Sequence, residues 1–284
     1  MPAVGRVVKT VVLPGGERVP AFGLGTWCMG DDRAARAEEI ATLRLGIDLG
    51  ATLIDTAEMY GDGRAEQLVG EAIAGRRDEV FLVSKVLPQN ATRRGTVAAC
   101  EKSLQRLQTD RLDLYLLHWR GSVPFAETLA ALVALHSAGK IRHYGVSNLD
   151  LADMREFSAL PGGAGIATNQ LLYNLTRRGI EWDLLPWLGE RHIPVMAYSP
   201  LEQGRLLNDK GLAAFARSHG MTPAQAALAR LLAHDDCIVI PKSARRERLR
   251  ENLGALERAL TPAQLAELDR LYPPPTGPRG LEML

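Results

Sequence analysis

Short apolar runs alternate with amphipathic segments along most of the chain. Residues 80–83 and 237–240 are apolar at every position, a pattern typical of parallel strands that are buried on both faces. In the segments between such runs, apolar residues recur every three or four positions, as at Ile40, Leu43 and Ile47, which predicts helices. The sequence therefore predicts strands and helices in strict alternation.

The alternation gives eight strand–helix units. We expect strands at residues 22–26, 52–55, 80–85, 112–118, 141–148, 166–170, 194–199 and 237–241. We expect one helix from a cap at Asp31 or Asp32 to a stop at Gly50, and further helices at 64–74, 97–107, 124–139, 151–158, 180–191, 222–234 and 245–256. Eight right-handed βα units in about 250 residues predict a closed (β/α)8 TIM barrel.

Two additions flank the barrel units. Residues 7–12 and 18–20, joined by a Pro-Gly-Gly turn, predict an N-terminal β-hairpin. Thr261 and Pro262 predict the start of an extra C-terminal helix, and the proline-rich tail 272–284 is expected to be extended. No linker or low-complexity stretch interrupts the chain, so we expect a single domain over residues 1–284.

Polar side chains end nearly every predicted barrel strand. They are Asp55, Lys85, His118, Ser147, Asn148, Asn169, Gln170, Tyr198, Ser199, Lys242 and Ser243. Taken alone, Lys85 fits a surface lysine and His118 fits a satisfied interior histidine. In such barrels, however, the active site lies at the C-terminal ends of the strands. Convergence on one rim therefore predicts a functional site.

The strand ends also carry short motifs, at residues 55–60, 83–85, 116–118, 145–148, 169–170, 198–201 and 240–243. In this order, and over essentially the whole chain, they resemble the aldo-keto reductases. Residues 160–163 and 178–183 look most like the short bacterial branch of that family, some of whose members reduce methylglyoxal. The resemblance implies NADPH-dependent reduction of aldehydes or ketones by a tetrad of Asp55, Tyr60, Lys85 and His118. It also implies that the hairpin plugs the barrel bottom.

The chemistry of carbonyl reduction agrees with these residue types. Negative charge builds on the carbonyl oxygen as hydride reaches the carbon, so a proton donor must face that oxygen. Tyr60 can donate, and an ammonium at Lys85 is expected to lower its pKa. Asp55 can balance that buried ammonium, and His118 can orient the carbonyl by a hydrogen bond.

The cofactor prediction combines chemistry with the resemblance. The amide and hydroxyl groups at the fifth and sixth strand ends suit a carboxamide, Tyr198 offers a ring for stacking, and the last two strand loops form the usual phosphate site. Family members hold the 2′-phosphate and adenine at positions matching Lys242 and the helix face of Arg248. The predicted cofactor set is Gly25, Thr26, Asp55, Ser147, Asn148, Gln170, Tyr198, Ser199, Leu201, Lys242, Ser243, Arg248, Glu251 and Asn252.

The predicted substrate pocket is mostly aromatic and apolar. Its expected wall is Trp27, Met59, Tyr60, His118 and Trp119. None of these is basic, so a carboxylate or phosphate on the substrate has no partner there. A small aldehyde or dicarbonyl such as methylglyoxal is expected rather than a steroid. Two segments depart from the family pattern, residues 88–90 after the third strand and residues 202–205 in the pyrophosphate loop.

Composition excludes other classes of protein. The 34 basic and 33 acidic residues nearly cancel, which argues against a nucleic-acid partner. No apolar run is long enough for a signal sequence or a membrane span. Three distant cysteines favour reduced thiols in a cytoplasm, and no metal-ligand spacing is present. Gly23 and Gly25 alone are a weak dinucleotide-binding motif. We expect a cytoplasmic monomer with a small carbonyl substrate.

Two other functions remain open from the sequence. The first is a Schiff-base aldolase that uses Lys85 as its nucleophile on the same barrel. The second is a regulatory subunit that binds NADPH but turns over slowly. The consumption of NADPH with aldehydes distinguishes all three functions.

Overall fold

The computed structural model describes residues 9–284 and contains the predicted barrel. Eight parallel strands follow one another in chain order, each paired with the next. They are β3 (Gly23–Gly25), β4 (Leu53–Asp55), β5 (Phe81–Val86), β6 (Leu112–Leu117), β7 (Ile141–Ser147), β8 (Ile166–Leu172), β9 (Val195–Tyr198) and β10 (Cys237–Val239). The prediction of a (β/α)8 barrel is confirmed.

Contacts between the first and last strands close the barrel. Phe22 bridges Val239, and Gly25 bridges Lys242, both in parallel register. A Cβ atom on Gly25 would lie 2.7 Å from the Ile240 carbonyl oxygen, so only glycine permits this approach. The two glycines of the weak dinucleotide motif thus lie in the first barrel strand, where Gly25 serves the closure of the barrel.

A two-stranded hairpin lies across the N-terminal end of the barrel. Strands β1 (Thr10–Val12) and β2 (Arg18–Pro20) pair antiparallel. Glu17 in their connection accepts hydrogen bonds from Arg142 at 2.8 and 2.9 Å and contacts His143 at 2.6 Å, both near the start of β7. Val11, Leu13 and Val19 are buried in the main core, and the hairpin prediction is confirmed there. Its first positions, Val7 and Val8, lie outside the described residues.

Helices surround the barrel. They are α1 (Arg36–Asp48), α2 (Arg64–Ala72), α3 (Arg93–Leu107), α4 (Phe125–Ser137), α5 (Leu151–Ser158), α6 (Leu184–Gly189), α7 (Lys210–Ser218), α8 (Pro223–Leu232), α9 (Arg246–Leu253) and α10 (Pro262–Leu271). Thr222 and Thr261 each form a capping box with the glutamine three residues later. The extra helix predicted from Thr261 is therefore present.

Two helix predictions need correction. The first helix begins at Arg36 rather than at a cap on Asp31 or Asp32, because Asp32 accepts from the Ala34 amide in an earlier turn and Asp31 pairs with Arg64. The helix expected at 180–191 is shorter and begins at Leu184. A longer helix would place Pro186 in its interior, where proline lacks the N–H and clashes with the preceding turn.

Helix α7 is additional to the predicted helices. Asp209 caps it by accepting from the Leu212 amide at 2.8 Å. Leu212 and Phe215 from α7 pack with Leu206 and Leu268 in a small second core beside the barrel. The tail 272–284, which was expected to be extended, has no regular secondary structure and contains bends at residues 272, 276 and 277. Within residues 9–284, no helix has the length and apolar character to cross a membrane.

Candidate active site

The ends of β4 and β5 form a buried ion pair at the C-terminal rim of the barrel. The Lys85 ammonium donates to Asp55 Oδ2 at 2.9 Å, to the Thr56 carbonyl at 2.8 Å and to the Tyr60 hydroxyl at 3.1 Å. Lys85 is fully buried and Asp55 is almost so. Gln170 from β8 donates to the other carboxylate oxygen of Asp55 at 2.8 Å. We call Asp55, Lys85 and Tyr60 the proton chain.

The loop after β4 brings Tyr60 back over its own strand. Gly61, Asp62 and Gly63 all have positive φ, at 56°, 50° and 88°, and α2 begins at the next residue. This left-handed run folds the chain sharply after Tyr60. The Lys85 ammonium lies 4.7 Å from the centre of the Tyr60 ring.

Burial dominates the titration of Tyr60. Loss of solvent raises the pKa of Tyr60 above its ordinary value, although the Lys85 ammonium acts to lower it. Burial acts to lower the pKa of Lys85, but the Asp55 carboxylate and Tyr60 outweigh it, and the pKa of Lys85 is raised. The expected effect of Lys85 is present, but burial outweighs it, so the expectation of a lowered Tyr60 pKa is wrong. Tyr60 is a neutral phenol and Lys85 a cation at neutral pH.

His118 at the end of β6 is a neutral imidazole beside the proton chain. Burial, with a smaller contribution from Lys85, lowers the pKa of His118 to about 2. Its ring centre lies 5.9 Å from that of Tyr60, edge to face. Its Nδ1 is buried, and neither ring nitrogen hydrogen-bonds to another described residue. Both ring nitrogens therefore keep their hydrogen-bonding capacity within the described part of the chain.

Hydrogen bonds connect amide and hydroxyl groups at the ends of β7, β8 and β9, next to Asp55. We call Ser147, Asn148, Gln170 and Tyr198 the carboxamide shelf. Ser147 donates to the Gln170 carbonyl at 2.9 Å, and Asn148 donates to Ser147 Oγ at 3.1 Å. The Tyr198 hydroxyl donates to Asn148 Oδ1 at 3.0 Å. Burial raises the pKa of Tyr198 to about 12, so this hydroxyl keeps its proton. The structure brings the predicted carboxamide-binding residues together.

Unpaired cations lie on the β10 side of the rim. Lys242 and Arg248 are exposed, and within residues 9–284 neither side chain makes a hydrogen bond or an ion pair. Arg246 differs, because Glu38 holds it at 2.9 and 3.0 Å. Among the other predicted contacts, Asn252 is buried and Glu251 is half-buried on α9. An anion placed here would meet two cations that no described residue neutralises.

Two predicted cofactor residues have internal roles. Both the amide and the hydroxyl of Thr26 donate to the Asp55 carbonyl, at 3.1 and 2.9 Å, which ties β3 to β4. Ser243 Oγ hydrogen-bonds within its own turn, to the Arg245 carbonyl at 3.0 Å. Both residues thus shape the strand ends that carry Gly25 and Lys242.

The predicted pocket wall is partly open. Trp27 is 48% exposed and Met59 is 37% exposed, while Trp119 is half-buried against His118 with ring centres 4.7 Å apart. The tail reaches this rim, because the Leu284 amide lies 3.4 Å from the Tyr198 hydroxyl. Apolar surface and the tail therefore frame the polar centre.

Two carboxylates that the sequence analysis did not single out position the rim. Glu58 accepts from the Leu87 amide at 2.7 Å and from Asn90 at 3.0 Å, and so fixes the unusual segment 88–90. Glu202 is buried and lies in the equally unusual segment 202–205, between Arg177 and Arg205. The motifs point to residues that face a ligand, and these carboxylates instead face other loops.

Comparison with known proteins now adds to the geometry. The aldo/keto reductase family model matches residues 21–273, and the chain belongs to this family of oxidoreductases. It is 52% identical over 281 residues to the methylglyoxal reductase YeaE of Escherichia coli strain K12, covering 97% of this chain and 99% of that protein. The glyoxal reductase of Bacillus subtilis strain 168 is 35% identical, with 92% of each chain covered.

A solved structure is also very similar. The aldo/keto reductase of Klebsiella pneumoniae, in complex with NADP and acetate, superposes with a TM-score of 0.95 at 51% identity. The match covers 98% of this chain and 100% of that one. The resemblance inferred from the strand-end motifs is thus confirmed at the level of family and fold.

Proposed function

We propose that the chain reduces small aldehydes and dicarbonyls to alcohols with NADPH, and that Tyr60 is the proton donor. The observation that carries the proposal is the proton chain, in which Lys85 lies 2.9 Å from Asp55 and 3.1 Å from the Tyr60 hydroxyl. In carbonyl reduction, the step that needs an acid beside an ammonium is the protonation of the carbonyl oxygen.

The cofactor assignment rests on two supports. Lys242 and Arg248 are unpaired cations at the rim, and arginine suits a phosphate through its planar fork. The Klebsiella pneumoniae relatives are in complex with NADP and NADPH. NADPH would lie with its carboxamide on Ser147, Asn148 and Gln170, and with its 2′-phosphate near Lys242 and Arg248.

Bound NADPH supplies the hydride that adds to the carbonyl carbon. The Tyr60 hydroxyl gives its proton to the carbonyl oxygen as charge builds there, and a phenolate remains. The Lys85 ammonium stabilises that phenolate, and Asp55 keeps Lys85 charged and in place. Because the pKa of Tyr60 is raised by burial, the acid form is fully populated at neutral pH before reaction.

His118 orients the substrate rather than protonating it. A group with a pKa of about 2 carries no extra proton to give at neutral pH. The neutral ring can still donate one N–H to the carbonyl oxygen. The hydrogen-bonding capacity that His118 leaves unused within the protein supports this role.

The proposed substrate is methylglyoxal or a similarly small aldehyde. Trp27, Met59 and Trp119 line the rim without a charged group, and the tail at Leu284 narrows it. The names of the relatives, methylglyoxal reductase and glyoxal reductase, support the same class. Large ketones would have to displace the tail.

The test follows NADPH absorbance at 340 nm with methylglyoxal, benzaldehyde, glucose and a steroid ketone. We expect higher kcat/KM for the first two. A reversed order would contradict the substrate assignment, and no NADPH consumption with any aldehyde would contradict the function. A Schiff-base aldolase requires a neutral lysine, whereas the pKa of Lys85 is raised. Borohydride is therefore expected to trap no carbonyl on Lys85.

We further propose that the protein works as a cytoplasmic monomer. Cys28, Cys100 and Cys237 are free thiols, which agrees with a reducing compartment. Light scattering at micromolar concentration is expected to give the mass of one chain, about 31 kDa. A mass of two chains would contradict this.

A further inference from the structure

Arg177 lies between two segments that flank the active site. One is the β9 loop, residues 199–208, and the other is the tail, residues 272–284. Arg177 donates to Glu202 of the β9 loop from Nε at 3.1 Å and from Nη2 at 2.9 Å. Its third nitrogen, Nη1, donates to Glu282 of the tail at 2.5 Å. One guanidinium therefore joins both segments.

The Glu202 contact reaches the predicted pyrophosphate loop. Glu202 is 4% exposed and has a positive φ of 51°, so its carboxylate is buried on a strained turn. Asn174 and Arg205 also donate to it, at 2.7 and 2.6 Å. A buried carboxylate needs such partners, and they hold the loop that carries Ser199.

The Glu282 contact holds the tail close to the point where the tail meets the rim. Glu282 lies two residues before Leu284, whose amide is 3.4 Å from the Tyr198 hydroxyl. Tyr198 in turn donates to Asn148, within the carboxamide shelf. The tail is thus attached to the rim at one ion pair and touches the shelf two residues later.

We propose that Arg177 is a positioning residue that holds the tail through Glu282 and the β9 loop through Glu202, so that one side chain orders both the substrate wall and the cofactor loop by separate contacts. The inference rests on the proposed function. The planar fork of arginine serves two carboxylates at once, whereas a lysine ammonium is a single point charge. Arg177 touches neither substrate nor cofactor and acts through Glu202 and Glu282.

The test compares Arg177→Gln, Arg177→Lys and Glu282→Gln with wild type. Arg155, Arg177 and Glu282 line one cleft of about 300 Å³. The control is Arg155→Gln, because Arg155 makes no ion pair within residues 9–284. Trypsin cleavage after Arg279, read as loss of residues 280–284 by mass spectrometry, reports release of the tail. NADPH affinity by fluorescence reports the loop, and KM against kcat for methylglyoxal reports the pocket.

Glu282→Gln is expected to speed this cleavage and to raise KM by about two- to fivefold, the usual effect of one exposed ion pair. NADPH affinity and kcat should stay within twofold of wild type, because the tail meets the carboxamide shelf through the long Leu284–Tyr198 contact of 3.4 Å, which adds little to cofactor binding. Arg177→Gln should reproduce these effects and also weaken NADPH by about tenfold, since it removes hydrogen bonds to a charged group. Arg177→Lys should restore either the wild-type rate of tail cleavage or the wild-type NADPH affinity, but not both, because a single ammonium cannot serve both carboxylates. The double variant Arg177→Gln/Glu282→Gln should be cleaved no faster than Arg177→Gln.

The proposal is overturned if Arg177→Gln and Glu282→Gln match Arg155→Gln in cleavage and KM. It is also overturned if Glu282→Gln weakens NADPH as much as Arg177→Gln does, because the two contacts would then not be separable. If wild type does not reduce methylglyoxal, the proposed function fails, while the cleavage and NADPH measurements still decide the role of Arg177. Glu282→Gln changes a half-exposed tail residue, so its result does not depend on a fragile fold.

Discussion

Replacing Lys85 with methionine removes the charge that the proposed mechanism relies on most. The ammonium lies 3.1 Å from the Tyr60 hydroxyl. Two unit charges at about 3 Å attract by roughly 5 kcal/mol at an effective dielectric constant of about 20. If about half a charge has developed on the tyrosine oxygen in the transition state, its loss costs roughly 2.5 kcal/mol. That cost predicts a fall in kcat of about 100-fold.

Steady-state kinetics with methylglyoxal and NADPH measures this loss, and NADPH titration by fluorescence checks that the cofactor still binds. The matched control is Lys102→Met, which changes an exposed lysine on α3 and is expected to have no effect. Lys85→Met also leaves the buried Asp55 carboxylate without its cation, and among the described residues only Gln170 still donates to it from a side chain. The double variant Asp55→Asn/Lys85→Met avoids the unpaired charge and should be as slow but more stable.

A kcat within threefold of wild type in Lys85→Met, with methylglyoxal saturating, would refute the electrostatic role of Lys85. Loss of NADPH binding with an unchanged rate of hydride transfer would refute it too, because Lys85 would then serve the cofactor. Equal activity in the single and double variants agrees with the account, since both lack the ammonium.

Three further predictions concern the cofactor, pH and stability. Lys242→Met and Arg248→Met should each weaken NADPH binding by roughly ten- to hundredfold and leave NADH binding almost unchanged. The control is Arg250→Gln, on α9 with Arg248. Equal losses of affinity for both cofactors would contradict a 2′-phosphate site. The kcat/KM for reduction should be flat from about pH 5 to pH 9, because the pKa of Tyr60 is raised and that of His118 is about 2, whereas a bell centred near pH 7 would contradict these protonation states. As the pH falls below 6.5, the ordinary pKa of histidine, His118 becomes protonated in the unfolded chain, whereas in the folded state it stays neutral down to about pH 2. Acid therefore favours the unfolded chain, and this group lowers the free energy of unfolding by at most about 1.4 kcal/mol per pH unit. Urea unfolding of His118→Gln should show a shallower loss of stability from pH 6 to pH 4, and an unchanged slope would show that His118 is not the cause.

The barrel was predictable because its signals are local. Continuous apolar runs marked the strands, and Thr222 and Thr261, each followed by proline, marked two helix starts that the structure places at the next residue. The helix at 210–218 also begins after a capping residue, Asp209, but lysine and not proline follows it, so its start is less distinct in the sequence. Pro186 has the opposite effect. The periodicity of apolar residues predicts a helix over 180–191, but this proline limits the helix to Leu184–Gly189.

The site was predictable in its membership more than in its electrostatics. Because the ends of the barrel strands meet at one rim, the sequence predicts that Asp55, Lys85 and Gln170 lie close together, as they do. The sign of the Tyr60 pKa shift depends on the balance between burial and Lys85, and sequence does not contain the degree of burial. Contacts between loops, such as Arg177 with Glu202, join residues far apart in the chain and leave no motif.

Single-turnover reduction of methylglyoxal by Tyr60→Phe tests the central claim most directly. Enzyme saturated with NADPH is mixed with substrate, and the decay of absorbance gives the rate of the chemical step. Tyr144→Phe serves as the control, because its hydroxyl donates to the Gly162 carbonyl outside the site. The account predicts that Tyr60→Phe binds NADPH with nearly wild-type affinity but reacts at least about 100-fold more slowly, while Tyr144→Phe reacts at the wild-type rate. A Tyr60→Phe rate within threefold of wild type would contradict the assignment of Tyr60 as the proton donor.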